Sequence, residues 1–251
     1  MNYHIIIPAR YDSQRLPGKV LMDIAGKPMI THVYQQAQQS DAQQIIIATD
    51  HQAIYQVAAE MGATVCMTQA DHPSGTDRLA EVVQQYQYHD DDIIVNVQGD
   101  EPMLPPALIN QVAQDLQQYP EADMATLFSP IDTITDIFDP NVVKVTIDQQ
   151  GYANYFSRAP IPWVRHQFPD CKQCPDDTQH LRHIGLYAYR VNFLRSYSQL
   201  APCSIEKAES LEQLRALYYG KRIHLSEAKI DPGHGIDTQQ DLERVRQLLS
   251  A

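Results

Sequence analysis

Three cations, Arg10, Arg15 and Lys19, follow directly on the apolar run Tyr3-His4-Ile5-Ile6-Ile7, in the segment Pro8-Ala9-Arg10-Tyr11-Asp12-Ser13-Gln14-Arg15-Leu16-Pro17-Gly18-Lys19. A cationic loop at the carboxyl end of the first strand of an α/β sheet is where such folds bind anionic ligands. The chain as a whole repels one, because 19 Lys and Arg stand against 31 Asp and Glu, a net charge of −12. A triphosphate therefore needs a local cluster of cations to hold it. The plainer alternative is a surface loop whose charges keep it soluble. The loop carries neither the Gly-x-x-x-x-Gly-Lys-Ser/Thr of a P-loop nor the Gly-x-Gly-x-x-Gly of a dinucleotide-binding turn.

Acidic residues fall at matching places. Gln98-Gly99-Asp100-Glu101-Pro102 follows the apolar run Ile93-Ile94-Val95-Asn96-Val97, so Asp100 should project at the same sheet edge as Arg10 and Lys19. Gly99 allows the backbone to approach a ligand closely. Asp100 is either a helix cap or a ligand for Mg²⁺, which takes only one or two protein carboxylates when it rides on a triphosphate. Asp237 lies in Pro232-Gly233-His234-Gly235-Ile236-Asp237-Thr238, where an N-cap is its ordinary role. In Asp71-His72-Pro73-Ser74-Gly75-Thr76-Asp77-Arg78, residues Ser74, Gly75 and Thr76 offer N–H groups and hydroxyls at a helix start, suited to ligand recognition as well as capping.

The four cysteines suggest no further chemistry. Cys66 sits in an apolar run and reads as an inert core thiol. Cys171 and Cys174 form a single C-x-x-C in a polar stretch, with His180 and His183 behind it, and a surface loop is expected there in preference to a zinc site. No apolar run approaches the roughly 20 residues of a membrane helix, and no signal sequence opens the chain. A soluble cytoplasmic protein is expected, with neither membrane nor nucleic acid as its partner.

These residues require a scaffold that brings strand ends together. Strands are expected at 3–7, 45–49, 64–67 and 93–97, alternating with amphipathic helices through Met29 to Ala37, Ile54 to Met61, Leu79 to Tyr86 and Leu108 to Leu116. Four such βα units specify an α/β fold, a three-layer, mostly parallel sheet of the Rossmann-like kind. The second half changes character, with strands at 142–147, 151–156 and 183–189 and helices at 205–218 and 238–249. The expected division is an α/β core (1–129), a small mixed β insertion that covers its sheet and that the resemblance described next assigns to sugar binding and dimerisation (130–228), and a C-terminal return to the core (229–251), all within one structural domain.

The pattern Ile-Pro-Ala-Arg-x-x-Ser-x-Arg-Leu-Pro-Gly-Lys, with His-x-Ser-Gly-Thr-x-Arg and Gly-x-Asp-Thr further on, resembles the sugar-activating cytidylyltransferases, and within them the family that forms CMP-Kdo. The resemblance runs from residue 4 to about residue 248. It implies an α/β nucleotidyltransferase that takes CTP and Kdo as substrates, uses Mg²⁺, and works as a homodimer. It implies that Pro8, Ala9, Arg10, Arg15, Lys19, Ser74, Gly75, Thr76, Arg78, Gly99 and Asp100 surround the nucleotide. Asp100 and Asp237 would hold the metal, while Arg10 and Lys19 would act on the phosphates. Gln98, Arg158, His183, Tyr187, Glu212 and Gln213 match positions that contact the sugar acid, though from the residues alone the last four would be ordinary core or surface groups. Two alternatives stay open: the same chemistry on another acid sugar such as a sialic acid, and a CTP-binding sensor without catalysis.

Overall fold

The computed structural model describes residues 2–12 and 16–249. From the start the chain runs β1 (Tyr3–Ala9), a 3-10 turn (Lys19–Leu21), the short pair β2 (Asp23–Ile24) and β3 (Lys27–Pro28), α1 (Met29–Gln38) and β4 (Gln44–Thr49). Next come α2 (Gln52–Glu60), β5 (Thr64–Met67), α3 (Gly75–Gln85), β6 (Ile93–Asn96), α4 (Pro106–Gln118) and β7 (Met124–Pro130). The rest is α5 (Ile134–Phe138), β8 (Lys144–Ile147), β9 (Ala153–Ser157), β10 (Leu181–Arg190), α6 (Val191–Tyr197), α7 (Ser204–Glu209), α8 (Gln213–Tyr218), β11 (Ile223–Glu227) and α9 (Gln239–Leu249).

One sheet organises these elements, in the order β11-β7-β10-β6-β1-β4-β5, with β8 and β9 attached beside β10. Strand β1 pairs in parallel with both β4 and β6, and every other residue of β1 faces the opposite layer. Ile5 and Ile7 pack under α1, α2 and α4, against Ile30, Val33, Ile54 and Leu108. Ile6 packs on the other side with Leu79, Val82 and Val83 of α3 and Val191 and Phe193 from α6. Burial on both faces is why β1 reads as a continuous apolar run. The final helix packs Leu242 and Val245 onto Leu16, Ile24, Met29 and Ile236, beside the first loop.

Two features depart from the sequence expectation. The segment 130–228 does not lie wholly outside the nucleotide sheet, because β10 runs antiparallel between β6 and β7 and β11 extends the same sheet beyond β7. Residues 205–218 form two short helices, broken where Ser210 adopts a left-handed backbone with φ of 52°. The pair Cys171 and Cys174 are free thiols packed near Ile131, Ile137 and Phe168, and nearby His180 points its Nε2 at the Pro162 carbonyl, 2.9 Å away. Among the described residues, no cluster of three or more His, Cys, Asp or Glu is placed to hold a metal ion, and no helix is long and apolar enough to cross a membrane.

Lys144 anchors β8 and β9 to the loops beside them. It is fully buried, and its ammonium donates to the carbonyls of Asp139 (2.8 Å), Val142 (2.6 Å) and Arg158 (2.8 Å). Burial pulls its pKa down, and the three carbonyls offset part of that cost. Lys144→Met keeps the stem but leaves those acceptors without a donor. It should lower the unfolding free energy by about 1–3 kcal/mol. A urea titration checks this, with the midpoint falling and the slope unchanged.

Candidate active site

A cleft of about 530 Å³ opens at the carboxyl ends of β1 and β6, lined by Pro8 at the end of β1, Arg10 and Lys19 from the first loop, and Gln98, Gly99 and Asp100 from the loop after β6. The two loops touch. A Cβ on Gly99 would stand 2.8 Å from the Pro8 carbonyl oxygen, so only glycine allows the backbones this close. The first loop folds back through the Gly18 N–H, which donates to Tyr11 O at 2.9 Å with Gly18 at φ 68°. The Tyr11 ring stacks on His51, with centroids 4.0 Å apart. Arg15 lies outside the described residues.

The segment before α9 closes onto the same place. Ile236 N–H donates to Asp100 O at 2.9 Å, and Gly233, at φ 81°, lies so close to Met103 that a Cβ would stand 2.9 Å from its carbonyl. This docking carries Asp237 beside Asp100. Lys19 Nζ forms an ion pair with Asp100, donates to Ile236 O at 3.1 Å, and lies 3.4 Å from Asp237 Oδ1. The carboxylates of Asp100 and Asp237 thus converge on one cationic point. Glu101 is pushed up to about 7 by burial, and then by the charges of Asp100 and Asp237. A divalent cation fits this arrangement, since two carboxylates already meet on a single ammonium in a negative environment.

The opposite wall comes from residues 202–215. Arg215, 3% exposed, makes an ion pair with Glu206 through Nε and Nη2, lies 3.5 Å from Asp77, and stands 4.5 Å over the Tyr197 ring. This buried network fixes the short helices α7 and α8, and with them Glu206, Lys207, Ser210, Leu211 and Glu212, as the far side of the cleft. Sequence reading did not find Glu206, Lys207 or Arg215. Glu206 and Arg215 are nine residues apart, no helical spacing, and they meet because the chain turns at Ser210.

The candidate residues divide sharply in their surroundings. Ser74 and Gly75 line the cleft, with Ser74 Oγ also capping α3 by accepting from Asp77 N–H at 3.1 Å. Ala9 is fully buried beneath it. Arg78 borders the cleft, yet its guanidinium is taken by Asp50 at 2.6 Å and by Thr68, which ties α3 to β4 and β5. Thr76 is 2% exposed and turns its hydroxyl inward. Of the sugar-contact candidates, Gln98 and Glu212 line the cleft. Arg158, His183, Tyr187 and Gln213 do not belong to its lining. Arg158 donates to Glu209 O at 2.7 Å and Pro140 O at 2.8 Å, Tyr187 stacks on Tyr189, and Gln213 is 5% exposed. Asn96, at the end of β6 below Gly75, is fully buried with neither amide atom bonded.

His183 is set by its packing. Its Nε2 lies 3.1 Å from Thr126 Oγ1, its ring meets the edge of Phe156, and burial lowers its pKa to about 3. The unfolded chain, with an ordinary histidine, takes a proton below about pH 6.5 that the folded chain refuses. Stability contributed by neutral His183 is therefore complete above that pH and lost as pH falls toward 3. His183→Asn should flatten the acid limb of the pH–stability curve by up to about 1.4 kcal/mol per pH unit between 6 and 4. Denaturant titrations across that range, without substrates, check it.

A family model described as cytidylyltransferase matches residues 4–223. The chain is 55% identical over 251 residues to a 3-deoxy-manno-octulosonate cytidylyltransferase of Nitrosococcus oceani, covering 99% of this chain and 97% of that protein. It is 54% identical over 246 residues to the protein of the same name from Serratia proteamaculans, covering 98% of each. A solved structure of a CMP:2-keto-3-deoxy-manno-octonic acid synthetase complexed with CTP superposes with a TM-score of 0.90 at 42% identity, covering 99% of this chain and 98% of that one. A cytidylyltransferase from Leptospira borgpetersenii shares the fold, with a TM-score of 0.64 at 14% identity. With more than half of its residues identical to such relatives along its whole length, and the family's pattern spanning both loops of the cleft, this chain belongs to the cytidylyltransferase family.

Proposed function

We propose that this chain transfers the cytidylyl group of CTP to 3-deoxy-D-manno-octulosonate (Kdo), giving CMP-Kdo and diphosphate, a step that supplies lipopolysaccharide synthesis. The observation that carries the chemistry is the convergence of Asp100 and Asp237 on the Lys19 ammonium, at a cleft of about 530 Å³ that Arg10, Lys19 and Asp100 line. The choice of sugar acid is supported by the names of relatives more than half identical over their full length.

The anomeric 2-hydroxyl of Kdo attacks the α-phosphorus in line, and diphosphate leaves. The protein does little covalent work, so its contribution is positioning and charge. Asp100 and Asp237 would hold Mg²⁺, which supplies positive charge at the α-phosphate and lowers the pKa of the attacking hydroxyl. Lys19 keeps the two carboxylates together before nucleotide arrives, then turns its ammonium to the phosphates, where Arg10 joins it. Gly75 and Ser74 face the nucleotide, and Gln98 and Glu212 face the sugar from opposite sides. The same reading has the protein in the cytoplasm, where CTP is made, and acting as a homodimer, which would cover side chains such as Trp163, 55% exposed.

Diphosphate release from CTP and Kdo is the decisive assay, run beside a panel of other acid sugars. Activity should require Mg²⁺, and Asp100→Asn should lower turnover by at least about 10²-fold while melting close to the wild type, since it keeps shape and removes charge. Full turnover by that variant would remove Asp100 from the metal site. Lys19→Met should lower kcat by about 10²–10³-fold and change the Kdo KM little, because its charge is assigned to the transition state. A raised Kdo KM with unchanged kcat would place Lys19 on the wrong substrate.

A further inference from the structure

Thr76 sits in the segment that reads as nucleotide-binding, yet it is buried and does not belong to the cleft lining. It donates to Glu212 Oε1 at 3.0 Å, and the Tyr189 hydroxyl lies 3.2 Å from the same Thr76 oxygen. Thr76 is 2% exposed and Tyr189 1% exposed. The three residues come from α3, β10 and the start of α8, so nothing local places them together. A hydroxyl has one proton to donate. The Thr76 proton goes to Glu212 Oε1, so Tyr189 is the donor to Thr76. The chain therefore has a direction: Tyr189 to Thr76 to Glu212, ending on the one member that lines the cleft. Glu212 stands at the break between α7 and α8, where its backbone carbonyl accepts from Arg215 N–H at 3.1 Å and lies 3.4 Å from the Tyr197 hydroxyl.

We infer that Thr76 and Tyr189 are positioning residues for the sugar acid, which fix the Glu212 carboxylate so that it accepts from a substrate hydroxyl; this rests on the reading of the reaction given above. Thr76 then contributes nothing direct to cytosine recognition, since its only proton is committed to Glu212. Tyr189 acts solely through Thr76, a dependence that packing alone would not produce. A buried hydrogen-bonding pair of this kind belongs to specificity, because it aims a charge without touching the ligand.

Steady-state kinetics of four variants test this, with the Kdo and CTP KM values read separately. Thr76→Val should raise the Kdo KM by about tenfold or more, as expected for loss of a hydrogen bond to a charged group, with the CTP KM within about twofold of wild type. Thr76→Ser, which keeps the hydroxyl, should stay near wild type. Tyr189→Phe should raise the Kdo KM by about threefold, and Thr76→Val combined with Tyr189→Phe should be no worse than Thr76→Val alone. A CTP KM that rises in step with the Kdo KM, an unmoved Kdo KM, or additive effects in the double variant would each overturn the proposal. Should Thr76→Val fail to fold, Tyr189→Phe decides it by the same split between the two KM values. Wild-type protein that turns over no Kdo overturns the assigned reaction itself, whereas an active wild type with indifferent variants overturns only the positioning role.

Discussion

Three carboxyl groups, Asp100, Glu101 and Asp237, crowd one edge of the sheet in a chain that is already strongly acidic. Like charges at this separation repel, and burial worsens the cost by removing water. The structure meets that constraint with Lys19, whose ammonium reaches Asp100, Asp237 and the Ile236 carbonyl together. Much else is arranged around this point. Gly99 lets the two loops touch, Gly233 lets the C-terminal segment lie on Met103, and Leu242 and Val245 hold α9 against the first loop. Such a concentration of negative charge is what the proposed Mg²⁺ would balance, together with the phosphates it carries.

The core strands were legible because burial on both faces leaves no polar alternation: Ile5-Ile6-Ile7 and Ile45-Ile46-Ile47 have helices on either side. Strands β7 and β11 were not. Met124-Ala-Thr-Leu-Phe-Ser-Pro130 mixes small, polar and ring residues, and Ile223-His-Leu-Ser-Glu227 is short and half polar, so neither announces a strand. Their places are decided by long-range pairing, of β7 with β10 and of β11 with β7, which no local pattern encodes. The apolar spacing through Leu211, Leu214 and Leu217 promised one helix from 205 to 218, but Ser210 turns the backbone left-handed and so creates the far wall of the cleft.

The site itself was readable in proportion to its distance from a strand end. Arg10, Gln98, Gly99 and Asp100 closely follow buried strands, and Lys19 lies in the same first loop, so their location at one sheet edge follows from topology. Asp237 required the docking of a Gly-rich segment onto residues 100–103, which sequence can suggest only by likeness to other proteins. Arg78 shows the limit from the other side. A basic residue in a ligand-binding segment invites a phosphate, but Asp50 and Thr68 engage both ends of its guanidinium, and those partners stand just past the ends of β4 and β5, outside the segment.

The pairing of Lys19 with Asp237 spans 218 residues. A growing polypeptide emerges from the ribosome in order, so the sheet edge with Arg10, Lys19 and Asp100 is in place long before the segment that completes it. Until Gly233 to Asp237 has left the exit tunnel, the nascent protein owns a cationic loop and one carboxylate but not their partner. Premature termination or proteolytic trimming in this stretch should accordingly give folded but catalytically silent products, since most of the sheet has formed without it.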